Sequence, residues 1–75
     1  MARLPVISGD EAIRAFQRAG WVVHRQAGSH VALDKEGEVA TLSVPMHREL
    51  DKGLLRRPIR DAGPTVEEFV GLLRK

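Results

Sequence analysis

The chain has 75 residues, no cysteine and a formal net charge of only +2. Those values exclude a disulfide framework and a thiolate metal site, and a domain this small buries only a little over ~60% of its unfolded surface, with no room for a deep enclosed pocket. No apolar run suits a membrane span or a signal-peptide core, and the start Met1-Ala2-Arg3-Leu4-Pro5 is soon broken by proline, so the expectation is one cytoplasmic domain over residues 1–75 with no membrane partner. Ser8, with Glu11 three residues on, reads as a capping box opening a helix. Ala12, Ile13, Phe16 and Ala19 give that helix an apolar face, and Gly20 ends it. Residues 21–26 favour a strand, 27–29 a turn, 30–33 a second strand, 34–38 a polar turn, and 39–44 a third strand stopped by Pro45. Runs this short and closely linked predict an antiparallel meander.

The last third reads as helical. Leu54, Leu55 and Ile59 are predicted to face the sheet. Pro58 interrupts the pattern, because it lacks a backbone donor and disfavours helix at Arg57. It predicts a kink, or a helix that starts late with Pro58 in its first turn. Gly63-Pro64 ends the element. Thr65 and Glu68 form a second capping box, opening a final helix with Phe69, Leu72 and Leu73 on its apolar face.

With a loop over 27–29, Gln26 pairs with His30 and Val23 with Leu33. Trp21, Val23, Val31 and Leu33 then face the helices, and His24, His30 and Ala32 share the other face. On that register His24 and His30 are diagonal neighbours, roughly 7–8 Å apart.

His30 is the leading candidate for chemistry. Imidazole, with an ordinary pKa of roughly 6.5, both takes and gives a proton at cellular pH. RNA carries its own nucleophile, the 2′-hydroxyl. A protein that cuts RNA need only remove that proton, protonate the leaving 5′-oxygen and stabilise the charge between them. His47 and His24 are the candidates for a second acid/base. No carboxylate or thiolate stands at metal-ligand spacing from the histidines, so no metal and no cofactor is expected. The sequence pI is about 9.7, and the basic residues gather between Arg48 and Arg60. Lys52, Arg56 and Arg60 fall four apart and are the phosphate-binding candidates. Phe16, Trp21 and Phe69 are the only aromatics and all read as core, so base stacking is not expected to drive RNA binding.

The order of these elements resembles the HicA toxin family. The likeness is carried by Gly20-Trp21, Arg25-x-x-Gly28-Ser29-His30, Val44-Pro45-x-His47, Leu54-x-Arg56, Ile59-Arg60-Asp61-Ala62-Gly63 and Thr65-Val66-Glu67-Glu68-Phe69. It runs from about Ser8 to about Leu73 and departs from the family pattern at Arg57-Pro58. The resemblance implies an α+β, double-stranded-RNA-binding-domain-like fold: helix, three-stranded antiparallel sheet, helix, with a short extra C-terminal helix. It also implies a metal-independent ribonuclease that cleaves mRNA and arrests translation, held in check by a HicB-like antitoxin. The family's catalytic histidine falls on His30, with Arg25, Gly28 and Ser29 beside it as RNA-binding positions. His47 falls on the Pro-x-His position. The alternatives from the residues alone are a non-catalytic RNA-binding module and a protein-interaction module.

Overall fold

The computed structural model describes residues 3–75, so Met1 and Ala2, which open the start read above as soon broken by proline, lie outside it. Helix α1 is Gly9–Arg18. Its capping box forms on both sides: the Ser8 hydroxyl accepts from the Glu11 N–H at 3.1 Å, and the Glu11 carboxylate accepts from the Ser8 N–H at 3.1 Å. At the other end Gly20, at φ +100°, turns the chain. Its N–H donates to the Gln17 carbonyl, and the Trp21 N–H donates to that of Phe16. This left-handed cap delivers Trp21 into the core, where it is 2% exposed.

Three strands follow: β1 Val22–Ala27, β2 His30–Asp34 and β3 Leu42–Pro45, paired antiparallel in the order β1-β2-β3. Val31, Leu33, Leu42 and Val44 point into the core under the helices. The residues between them, His30, Ala32, Asp34 and Ser43, lie on the face left open. Helix α2 is Lys52–Ala62 and packs against β3; helix α3 is Val66–Leu73 and packs against α1. Phe16 and Phe69 meet at a centroid distance of 5.0 Å and an angle of 44°. Among the described residues no helix is long and apolar enough to cross a membrane.

The α+β order of helix, antiparallel sheet and two helices is as the sequence predicts, but several details differ. The β1–β2 loop has two residues, Gly28 and Ser29, so Ala27 and not Gln26 opposes His30. Gly28 sits at φ +60° and among the described residues no other residue type takes a positive φ, so this is a tight turn with glycine first, whose twist suits a hairpin. A bulge at His24 absorbs the extra residue, and Val23 opposes Leu33 after all. Val23 is nevertheless 41% exposed, because the helices lie over β2 and β3 and leave the edge strand bare.

The third strand starts at Leu42 rather than at residue 39. Val39 is fully exposed and has no strand partner, so its strand-favouring side chain has nothing to pack on. Leu54 is 42% exposed, pointing off the core rather than at the sheet. Asp51 caps α2 by accepting from the Leu54 N–H at 3.0 Å, which starts the helix at Lys52 and leaves Pro58 in its interior instead of its first turn. The carbonyl that Pro58 cannot serve belongs to Leu54, a residue on the exposed side of the helix.

Candidate nucleic-acid interface

The β1–β2 turn, the end of β3 and the first turn of α1 converge at one end of the sheet. Pro45 is the cross-strand partner of His30. The Met46 N–H donates to the Ser29 carbonyl, and the Gly9 N–H donates to the His47 carbonyl at 2.8 Å. Gly9 is required here: a Cβ would stand 2.2 Å from the Pro45 carbonyl oxygen. The fold thus fixes the backbone on both sides of His30 and places His47 two residues beyond its cross-strand partner. Both imidazoles are exposed.

One row further along the open face, Arg25 opposes Ala32 and Ala32 opposes Ser43. Ser43 and Thr41 then border α2 through Arg57, Pro58 and Asp61, which together line a shallow depression of about 270 Å³. At the far end of the face the Asp34 carboxylate accepts from Thr41 Oγ1 at 3.0 Å and lies 3.0 Å from His24 Nδ1. Asp34 is four residues from His30 along β2, roughly 13 Å at strand rise. The expectation that His24 and His30 are close diagonal neighbours does not hold, because the bulge and the shorter turn carry His24 toward Asp34.

The structure brings together His30, Gly28, Ser29 and Arg25, with His47 close by in the backbone. It does not bring Lys52, Arg56 and Arg60 to them. Helical spacing groups those three on one flank of α2, as predicted, but that flank faces Arg3, Leu4 and Val66. The cation α2 offers toward the open sheet face is Arg57. Sequence reasoning grouped the α2 cations by a spacing of four, which joins Lys52, Arg56 and Arg60 and leaves Arg57 out, although Arg60 stands three residues beyond it. Its adjacency to the buried Pro58 was the available signal, since the core face of α2 had to be known to tell its two flanks apart. Among the described residues no three histidine or carboxylate side chains gather as a metal-ligand set.

Residues 9–63 match the family described as HicA toxin of bacterial toxin-antitoxin. The chain belongs to the HicA toxin family. The match begins at the glycine that packs on Pro45 and ends at the one that closes α2, so it takes in every residue of the open face. A chain in a toxin–antitoxin complex from Streptococcus pneumoniae is similar in structure, with a TM-score of 0.68 and 29% sequence identity. The likeness covers 77% of this HicA-family chain and 98% of that one. No curated protein matches the chain.

Proposed function

We propose that the protein is a ribonuclease toxin that cleaves mRNA in the cytoplasm without a metal ion, and so arrests translation. The observation that carries this is the exposed His30, set beside a tight turn at the rim of an open sheet face that also holds Arg25, Ser43 and Arg57. In this reading the 2′-oxygen of the RNA attacks the adjacent phosphorus as its proton passes to a base. The bond from phosphorus to the 5′-oxygen breaks, that oxygen takes a proton from an acid, and a 2′,3′-cyclic phosphate remains. His30 performs one of these proton transfers, and His47 is the partner best situated for the other. Arg25 and Arg57 hold the phosphates and offset the charge that builds between the two transfers. Lys52, Arg56 and Arg60, on the other flank of α2, are left out of that role. Membership of the HicA toxin family and the likeness to a chain of a toxin–antitoxin complex support both the toxin and an antitoxin partner. We take that partner to be HicB-like and to cover the histidine face.

The test is cleavage of a long RNA in EDTA by wild type and His30→Ala, with thermal melts of both. The expected result is a loss of roughly 10²–10⁴ in rate, the range of general acid–base catalysis, at matching melts. A folded His30→Ala protein that still cuts RNA would end the assignment. No cleavage by either protein would favour a non-catalytic RNA-binding module.

A further inference from the structure

The flank of α2 that faces away from the sheet borders a groove that the cleavage reading leaves unused. Two adjoining depressions of about 540 and 440 Å³ share Leu4, Arg56 and Val66. Together they follow α2 from Lys52 to Arg60. The rim is basic: Arg3, Lys52, Arg56 and Arg60. Among the described residues none of these four forms an ion pair. The floor is aliphatic, built by Leu4, Ile59, Pro64 and Val66. Arg3, Leu4, Pro64 and Val66 lie outside the residues that match the family, so the groove sets the α2 side chains of the matched region against segments that extend beyond it.

We propose that this groove docks an acidic amphipathic segment of a protein partner. Such a segment lays its apolar side chains on the floor and its carboxylates against the rim. The floor decides against nucleic acid. A polyphosphate would meet the rim but leave the aliphatic floor without a match, and no aromatic side chain is exposed for a base to stack on: Trp21 is 2% exposed and Phe16 and Phe69 are fully buried. The rim charges sit in water, so they steer and orient the segment, while burial of the floor supplies most of the affinity.

The probe is a fluorescein-labelled peptide of about 16 residues, with Leu at the i, i+3, i+4 and i+7 positions of a helix and Glu elsewhere. Anisotropy titration into the full chain is expected to show saturable binding. Arg56→Glu should weaken it by about tenfold or more. Val66→Asp should do the same from the floor. That variant places a carboxylate in the first turn of α3, where the helix dipole favours it, so circular dichroism melts should match wild type. Arg14→Ala, on the Asp10 pair of α1, should leave binding unchanged. Equal binding of an all-Glu peptide would overturn the proposal by removing the floor from it. So would single-stranded RNA that displaces the peptide and is sensitive to Arg56→Glu but not to Val66→Asp. Because the readout is peptide binding, it stands or falls apart from RNA cleavage.

Discussion

The two flanks of α2 both carry arginine, yet they meet different neighbours. One carries Arg57 and Asp61 beside the buried Pro58 and looks onto Thr41 and Ser43 at the open face of the sheet. The other carries Lys52, Arg56 and Arg60 and looks onto Leu4, Pro64 and Val66. The first flank adds a cation, a carboxylate and hydroxyls to a polar surface with two histidines. The second rings an aliphatic floor with cations. A basic side chain does different work in the two settings. On a polar surface it meets phosphate, and above an apolar floor it selects an acidic partner that also has something to bury.

The strongest way to break the comparison is to loosen the helix itself. Leu55 is fully buried. Leu55→Ala is expected to cost about 2–5 kcal/mol in denaturant melts and to degrade both flanks together. A loss below about 1 kcal/mol would mean that α2 is held by something other than its core face. Next in size is the contrast between neighbouring arginines. Arg57→Ala should lower RNA cleavage about tenfold and flatten its salt dependence by roughly one phosphate contact, while Arg60→Ala changes cleavage less than about twofold. The opposite order in a side-by-side assay would swap the roles of the flanks.

Smaller still is Asp51→Ala, which removes the cap of α2. It should cost about 1 kcal/mol of stability without favouring either flank. The least effect is expected from His24→Ala. Its pair with Asp34 is solvent-exposed and should contribute at most about 1 kcal/mol, and cleavage should persist because the imidazole lies far along the sheet from His30. A large drop in cleavage at an unchanged melt would restore His24 as the second acid/base.

Much of the fold was legible because its signals are local. Both capping boxes, the Gly20 helix end and the alternation of Val31 with Leu33 depend on residues within a few positions of one another. The misreadings arose where a residue's setting is decided from far away. Two-residue and three-residue loops were both compatible with Ala27-Gly28-Ser29, and the bulge at His24 hid the difference at Val23. Val39 and Leu54 have strand and core chemistry, yet neither finds a partner in the folded chain. Ile7 and Leu50 bridge across the length of the sheet region and are both buried, a contact no periodicity announces. The candidate site divides the same way. His30 stood out through its neighbours in sequence, whereas the proposal of Arg57 in place of Lys52, Arg56 and Arg60 rests on the packing of α2 on β3.

The bulge at His24 has one more consequence. β1 is an edge strand, exposed along its whole length, with a free row of backbone donors and acceptors that could template the strand of another molecule. The extra residue bends that row out of register, and the charged Arg25 follows it directly. Copies of the chain are thereby discouraged from stacking edge to edge into aggregates, while the pairing of β2 with β3 on the other side of the hairpin stays regular.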